Sequence, residues 1–464
     1  MENRGKELIK NTSLLLIGNV GSKLISFILI PIYTSVLTTA EYGSFDILAT
    51  TESLLIPILT VDIGDAVFRY AMEKQNKPSK VFYSGFLVWL VGSLFFVIAS
   101  FLFVNTKVYH YLWFLLTAYF AHSLYTLLIN YAKGIDELQL IAVAGILNTF
   151  VFGVLSIFFL LIVPFGLQGY MLAYVFGFLI PDFFLIISLK KKIVISHELF
   201  DSKLVSRMLK YSFPLVFASI SWWIISASDR YMVTWFCGSS ENGLYSMSYK
   251  IPNILVAIMT IFSQAWVVSA VKENDNDFYR KIYKIYTILI SSIGCLVIGN
   301  SELIGRLLYS SDFYLAWKLS PILIMAAIYQ GLTGFLCDIL TSRKDAKGIA
   351  LASLIGSFLN LALNFVLINK CDAYGAAIAT LISYLVVWAV LIVRLKTNHF
   401  ISIIDFKDII QILLLSITIL CLYKSLAAGY TAAAISVLLF IVLNISTVQM
   451  IYNKVVKGFK GRKV

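Results

Sequence analysis

The chain has 464 residues, of which 59% are hydrophobic and 13% are charged, with a mean hydropathy of +0.86 and a formal net charge of +12. So much apolar surface cannot be hidden inside a soluble domain, and most of it must therefore face lipid. The basic excess gives little support to nucleic-acid binding, because the sequence contains no folded basic domain to carry it.

Long apolar runs follow one another along the whole chain. A helix needs about 20 apolar residues to cross the hydrocarbon layer of a bilayer. Runs of this kind occupy roughly 12–37, 43–68, 81–104, 109–132, 140–163, 167–189, 211–236, 243–271, 285–308, 316–341, 348–368, 373–393, 408–424 and 430–453. The sequence thus predicts an all-α integral membrane protein with about 14 transmembrane helices, the thirteenth being the shortest.

The basic residues are distributed very unequally between the predicted loops. With a cytoplasmic N-terminus, 29 of the 37 Lys and Arg residues lie in segments that face the cytoplasm, five lie outside and three lie within spans. Cytoplasmic loops of membrane proteins carry this excess of Lys and Arg. We therefore expect both termini to be cytoplasmic and the number of spans to be even.

A charged segment and an internal repeat predict how the chain is organised. Residues 190–210 (KKKIVISHELFDSKLVSRMLK) read as an amphipathic helix on the cytoplasmic surface. LTTAEYGSFD at 37–46 is similar to CGSSENGLYS at 237–246, and Gly169 aligns with Gly375. We expect an N-terminal lobe of six helices at 1–189, the linker at 190–210, a second six-helix lobe at 211–396, and two further helices with a basic tail at 397–464. Parallel repeats of this kind commonly enclose a central transport site.

Three basic residues lie inside predicted spans, where charge is costly and usually functional. Lys23 lies near the middle of span 1, where its ammonium cannot easily reach either surface, and we expect it to line a cavity. Arg230 lies in the outer third of span 7, where an interhelical structural pair and a functional role are both open. Lys250 lies early in span 8, where snorkelling to the interface is the alternative to cavity lining.

Acidic residues within spans are candidates for binding a coupling ion, H⁺ or Na⁺. Asp62, Asp229 and Glu52 are the candidates for this role. Asp65 and Arg69 are spaced i, i+4 with the acid first, which predicts a helical ion pair. Further polar residues at membrane depth are Asp46, His122, Asp182 and Asp338, of which Asp338 is expected at the cytoplasmic interface.

No sequence pattern indicates catalysis. We find no HExxH motif, no nucleophile elbow, no P-loop and no long outward loop to house an enzyme site. The five cysteines show no metal-binding spacing. We expect no enzymatic activity, no cofactor and no metal.

Several segments, in their order and spacing, resemble a known family. They are LTTAEYGSFD, VDIGDAVFRYAME, KGIDELQL, GLQGYMLAY, LKYSFPLVF and SDRYMVTWFCGSSENGLYSMSYKIPN. Together they resemble the polysaccharide flippases, Wzx-type bacterial transporters of the superfamily that also holds lipid II flippases and MATE drug exporters. The similarity covers spans 1–12.

The resemblance implies two MATE-like, pseudo-symmetric lobes and alternating access driven by an ion gradient. The expected substrate is an undecaprenyl-diphosphate-linked oligosaccharide, moved from the cytoplasmic to the outer leaflet of the bacterial inner membrane for O-antigen, lipopolysaccharide, capsule or exopolysaccharide assembly. A polysaccharide polymerase and a chain-length regulator are the expected partners. The family's basic cavity residues map onto Lys23, Arg230 and Lys250, whereas Asp46 and Glu52 depart from its pattern by placing acids in span 2.

Three other functions stay open at this point. A MATE-like multidrug or cation antiporter would line its cavity with acids, which the position of Lys23 disfavours. A membrane-embedded polysaccharide polymerase would need a catalytic loop that the sequence lacks. A scaffold of a glycan-synthesis complex is the third.

Overall fold

The computed structural model describes residues 25–103, 105, 109–193, 200–273, 275–343, 345–397 and 406–445. These residues are almost entirely helical and include no strand, which confirms the predicted all-α class. The chain divides into two compact units, residues 1–231 and 232–464. Each unit is described by itself below.

The described part of the first unit is built from helices. Its elements are α1 (Ile30–Val36), α2 (Thr39–Thr60), α3 (Ile63–Ala71), α4 (Pro78–Ser100), α5 (Tyr109–Gly134), α6 (Leu138–Ile157), α7 (Gly166–Leu189) and most of α8 (Ser202–Cys237). Buried Val67, Val81, Leu128 and Tyr131 belong to an apolar core shared by α3, α4 and α5. The same core includes Leu189 at the end of α7.

A sharp bend divides the second predicted span into α2 and α3. The two helices meet at 58°, and Val61 and Asp62 at the junction have positive φ angles of 53° and 48°. Such angles are uncommon for residues other than glycine, above all for a β-branched valine. The backbone N–H of Asp62 donates to the carbonyl of Pro57, whose own missing N–H weakens the end of α2.

The predicted linker helix at 190–210 differs from the structure. Residues 202–210 are the first turns of α8, and residues 194–199 lie outside the described part. Leu204 and Met208 are buried in the apolar core of the first unit. Their apolar stripe therefore packs against protein, where the sequence predicted contact with the membrane surface.

The second unit begins within the last turns of α8. Its further elements are α9 (Ser239–Ser248), α10 (Lys250–Glu273), α11 (Asn276–Gly299), α12 (Ser301–Leu308), a 3₁₀ segment (Ser311–Lys318), α13 (Ser320–Ser342), α14 (Ala346–Thr397), α15 (Phe406–Lys424) and α16 (Leu426–Leu443). α14 is interrupted at Cys371 and Asp372, whose backbone angles are not helical. It therefore contains both the eleventh and the twelfth predicted spans.

Length and composition identify the chain as a multi-pass membrane protein. Among the described residues, eight helices are long and apolar enough to cross a membrane, and up to ten if each of two bent pairs counts as one span. Shorter apolar helices occupy Ile25–Val36 and Leu413–Lys424. Each of the fourteen predicted runs contains helix where the structure describes it, so the architecture is as expected. The count of fourteen spans is approximate, because fewer of the described helices are long and apolar enough to cross a membrane.

The sequence repeat is visible in local structure. α2 begins at Thr39 and α9 begins at Ser239, an offset of 200 residues, and each has a glutamate in its first turn. At α2, the Thr38 hydroxyl accepts from the N–H of Glu41, whose carboxylate accepts from the N–H of Thr38. This reciprocal capping satisfies two backbone donors at the start of the helix.

Candidate ion-coupling site and basic residues

Three side chains from α2, α5 and α7 converge in the first unit. The Glu52 Oε1 atom lies 2.9 Å from Nδ1 of His122, and the hydroxyl of Tyr174 donates to Oε2 at 3.2 Å. Glu52 is fully buried, with 0% of its surface exposed. We call Glu52, His122 and Tyr174 the Glu52 cluster.

Aromatic rings surround the Glu52 cluster and make its surroundings apolar. The ring of Phe178 stacks on the imidazole of His122, with 4.2 Å between centroids and an interplanar angle of 16°. Phe45 packs edge-on against the ring of Tyr174 at 5.5 Å. A charge in such surroundings is expensive unless it is paired and hydrogen-bonded. The imidazole and the phenol provide the two hydrogen bonds through which Glu52 is tolerated.

This arrangement can gain and lose one proton. With a neutral imidazole the cluster carries one negative charge, and uptake of a proton by either Glu52 or His122 makes it neutral overall. A buried carboxylate with these hydrogen-bond partners inside an apolar span makes the Glu52 cluster a candidate for binding a coupling ion.

Sequence reasoning found Glu52 as a coupling-ion candidate but missed its partners. The sequence shows His122 only as a histidine at membrane depth, and Tyr174 lies in a family segment that assigns it no role. The three residues are 70 and 52 positions apart, so no local spacing connects them. A polar residue at mid-depth in each of three spans was the available signal.

Arg230, a predicted substrate-binding residue, forms an interhelical ion pair. Its Nη1 atom lies 3.2 Å from Oδ1 of Asp46 and 3.4 Å from the hydroxyl of Thr50. Two more contacts join the same helices: the indole N–H of Trp223 donates to the carbonyl of Thr50 at 3.0 Å, and the hydroxyls of Thr51 and Tyr231 hydrogen-bond. The pair thus joins α8 to α2, and Asp46 compensates the charge of Arg230.

The other acidic candidates lie apart from the Glu52 cluster. Asp62 accepts from the hydroxyl of Ser219 at 2.6 Å and lines a cavity of about 30 Å³ with Asp65 and Asn130. A polar cavity of this size has room for one or two water molecules. Asp229 is buried, and its Oδ1 atom accepts from the backbone N–H of Arg230.

The predicted ion pair between Asp65 and Arg69 is replaced by another. The guanidinium of Arg69 lies 4.0 Å from Glu73, one helical turn further along the chain. Glu73 is also an acceptor for the amide of Asn76 at 3.0 Å, in the turn that ends α3. Both carboxylates are four residues from Arg69, and the one held by this turn is its partner.

Lys23 and Lys250 are the other two basic residues that the sequence predicts to bind substrate. Lys23 lies outside the described residues. Lys250 is the first residue of α10, half-buried, in the second unit. Their roles in substrate binding stay predictions. Within the described ranges, no three His, Cys, Asp or Glu side chains come together as metal ligands would.

The chain belongs to a family described as polysaccharide biosynthesis protein, whose sequence profile matches residues 8–268. The matched region begins before α1 and ends in α10, so it covers more than half of the chain. No curated protein matches the chain significantly.

Solved structures of low sequence identity share the fold over most of the chain. The lipid II flippase MurJ in an inward closed conformation is 13% identical, with a TM-score of 0.73, over 95% of this chain and 100% of MurJ. An inward-facing multidrug resistance MATE transporter of the MOP superfamily is 11% identical, with a TM-score of 0.67, over 82% of this chain and 94% of the transporter. A MOP superfamily transporter from Pyrococcus furiosus is 13% identical, with a TM-score of 0.60, over 84% and 95% of the two chains.

The family match gives the chain's family, and the structural matches show that it shares the fold of MurJ and of MATE transporters. The structural similarities are too distant in sequence to transfer a substrate.

Proposed function

We propose that this protein is a flippase that moves an undecaprenyl-diphosphate-linked oligosaccharide from the cytoplasmic to the outer leaflet of the bacterial inner membrane. The product would serve surface polysaccharide assembly, with a polymerase and a chain-length regulator acting on it afterwards. Transport would proceed by alternating access with both chain termini in the cytoplasm. The match of residues 8–268 to the polysaccharide biosynthesis family carries this proposal.

The charge pattern of the chain supports a lipid-diphosphate substrate. A diphosphate crossing a low-dielectric layer needs compensating positive charge. Lys23 is the basic residue that topology explains least, and it is the first candidate to contact the diphosphate. Arg230 is a weaker candidate, because a substrate phosphate would compete with Asp46, 3.2 Å away.

The Glu52 cluster supports proton coupling. Its carboxylate is bonded to an imidazole and a phenol, both of which exchange protons. Hard cations such as Na⁺ prefer several oxygen ligands, and this carboxylate has one nitrogen and one oxygen neighbour instead. We therefore infer that H⁺ is the coupling ion and that Glu52 with His122 binds it.

The Glu52→Gln variant tests this function in cells. Glutamine keeps the size of Glu52 and one acceptor oxygen but cannot take up a proton. We expect a strain that carries only this variant to lose surface polysaccharide to the level of the gene deletion, at unchanged protein abundance in the membrane.

The matched control is Glu73→Gln, which removes a carboxylate from the turn after α3 and from its pair with Arg69. Normal display is expected for this variant. Normal display by Glu52→Gln would refute proton coupling through Glu52, and unchanged polysaccharide in the deletion strain would refute the flippase function.

A further inference from the structure

The second unit contains a cavity of about 160 Å³ between α10, α11 and α13. Four nearly parallel aromatic rings form much of its wall. Trp266 stacks on Phe335 with 4.2 Å between centroids and 12° between planes, and Phe262 stacks on Tyr286 at 4.4 Å and 20°. The stacked rings give the wall flat apolar surface.

One carboxylate faces this aromatic wall. Asp338 Oδ2 accepts from the hydroxyl of Ser263 at 3.0 Å, and both residues line the cavity. No Lys, Arg or His side chain of the described residues lies within 4.0 Å of the Asp338 carboxylate. Asp338 therefore retains capacity to accept hydrogen bonds from a ligand.

A buried donor completes the polar set. Trp266 is 3% exposed, lines the cavity, and its indole N–H has no hydrogen-bond partner within the described part of the chain. An unsatisfied buried N–H is unfavourable, and buried polar groups in folded proteins are almost always paired. The indole nitrogen itself has almost no accessible surface, so a small rotation of the Trp266 side chain would bring its N–H to a ligand in the cavity.

We propose that this cavity binds a single non-acidic sugar residue of the transported glycan. A pyranose offers C–H faces that pack on aromatic rings, hydroxyls that donate to Asp338, and oxygens that accept from Trp266. The Asp338 carboxylate would repel a diphosphate or a uronic acid, so the cavity selects the uncharged or amino-bearing part of the substrate. The inference rests on the proposed flippase function.

The size of the cavity favours a sugar over a drug-like cation. Pockets for drug-sized ligands usually measure about 300–1,000 Å³, whereas this cavity measures about 160 Å³. A cation would also leave the indole N–H of Trp266 without an acceptor. One monosaccharide accounts for the volume, the carboxylate and the donor together.

Ligand binding to the purified full-length protein in lipid nanodiscs tests the proposal. Saturation-transfer NMR would compare the methyl glycosides of glucose, galactose, mannose and N-acetylglucosamine with methyl glucuronide and with tetraphenylphosphonium. We expect at least one neutral glycoside to bind and the glucuronide not to bind. Trp266→Phe should weaken the binding about tenfold, since phenylalanine keeps one aromatic ring but removes the N–H donor and the rest of the indole.

Matched controls separate the cavity from general effects of substitution. Trp235 is 82% exposed and Asp312 is also exposed, so Trp235→Phe and Asp312→Asn should bind like the unmodified protein. Asp338→Asn should weaken neutral sugars and reduce the discrimination against glucuronide. This variant keeps the test decisive should Trp266→Phe fail to fold.

Three results would overturn the proposal: no neutral glycoside binds, glucuronide binds equally well, or tetraphenylphosphonium binds and sugars do not. Because binding is measured without transport, a result that refutes sugar binding in this cavity does not by itself refute the flippase function. If the protein binds glycosides in this cavity but deletion of its gene leaves surface polysaccharide unchanged, only the flippase function is refuted.

Discussion

At the scale of single residues, Glu52 shows what the environment does to one carboxylate. The side chain is fully buried at membrane depth, yet both of its oxygens have partners. Its partners are an imidazole and a phenol, and no Lys or Arg among the described residues forms an ion pair with it. That combination distinguishes Glu52 from Asp46, which pairs with the permanently charged Arg230.

Stability measurements can distinguish a structural role of the Asp46–Arg230 ion pair from substrate binding by Arg230. If the pair is structural, Asp46→Asn and Arg230→Gln should each lower the free energy of unfolding by about 1–3 kcal/mol, because each leaves a partly buried charge uncompensated. The double variant should recover part of this loss, since neither charge remains. Thermal unfolding of the purified variants checks this. Loss of surface polysaccharide in the Arg230 variant alone, without a change in stability, would instead favour substrate binding by Arg230.

Asp201, which lies outside the predicted spans, should make the stability of the fold depend on pH. Backbone N–H donation from Leu204, and then the Lys80 ammonium at 3.1 Å, hold the pKa of Asp201 below its ordinary value. A carboxyl with a lowered folded pKa stabilises the fold above its unfolded pKa of about 3.9, and this contribution disappears as the pH falls through the folded value.

The Asp201→Asn variant should therefore unfold at a lower temperature than the unmodified protein at neutral pH. The difference should shrink once the pH falls below about 4. Asp277→Asn is the control, because the Asp277 side chain is 89% exposed. A difference that stays constant down to low pH would contradict the assigned role of Asp201.

At the residue level, depth within a predicted span was the sequence signal for a candidate site, and the coupling role of Glu52 stays a prediction. Glu52 was identified because an acid in the middle of an apolar span is costly. Its contacts with His122 and Tyr174 depend on the packing of three helices, which no spacing encodes. Arg69 had two carboxylates at equal sequence distance, and the turn after α3 decided between them.

At the scale of elements, close helix packing depends on glycines at particular contacts. A Cβ atom at Gly92 in α4 would lie 2.0 Å from the carbonyl oxygen of Leu59 in α2, a backbone atom that cannot rotate away. A Cβ atom at Gly145 in α6 would meet nothing within 4 Å. Both glycines are inside helices, so their intrinsic effect on helix formation is similar.

We expect Gly92→Ala to destabilise the protein by about 1–3 kcal/mol through overpacking of α2 against α4. Gly145→Ala should be neutral or stabilising by up to about 1 kcal/mol, because alanine favours helix over glycine. Thermal unfolding of the two variants in one detergent measures the contrast. Equal stability of both variants would show that α2 and α4 do not approach each other as closely as described.

The elements themselves were largely predictable. Apolar runs predicted the helices because a span must be about 20 residues long whatever its partners. The surface helix at 190–210 was wrong as an independent element: Asp201 caps α8 by accepting from Lys203 and Leu204, and the stripe of Leu204 and Met208 packs into the core. An amphipathic pattern shows that one face is buried, but the sequence does not say whether protein or lipid buries it.

At the scale of the whole molecule, composition and charge determined the class, and the repeat at an offset of 200 residues reappears as helices that begin at Thr39 and Ser239. The division of the chain into units falls at residue 231, within α8, where the sequence predicted a linker before residue 211. α8 bends by 49° between Ser221 and Ser226, ahead of the division, and its residues on both sides of residue 231 are helical, so no loop marks the division.

Lys23 is the basic residue within a predicted span that we propose to contact the substrate diphosphate. We expect Lys23→Ala to block surface-polysaccharide display while the protein still inserts, and Lys23→Arg to retain part of the function, because arginine preserves the positive charge. Membrane abundance measured alongside display is the control. Normal display by the alanine variant would show that Lys23 does not bind the substrate.

The most direct test of the account is translocation by the purified protein in proteoliposomes. With undecaprenyl-diphosphate-N-acetylglucosamine as the probe and an imposed pH gradient, we predict that labelled lipid moves between leaflets faster than in empty liposomes. Glu52→Gln should reduce this movement to the empty-liposome rate, while Glu73→Gln should leave it intact. Movement equal to that in empty liposomes, or undiminished movement by the Glu52 variant, would contradict proton-coupled transport of a lipid-linked sugar.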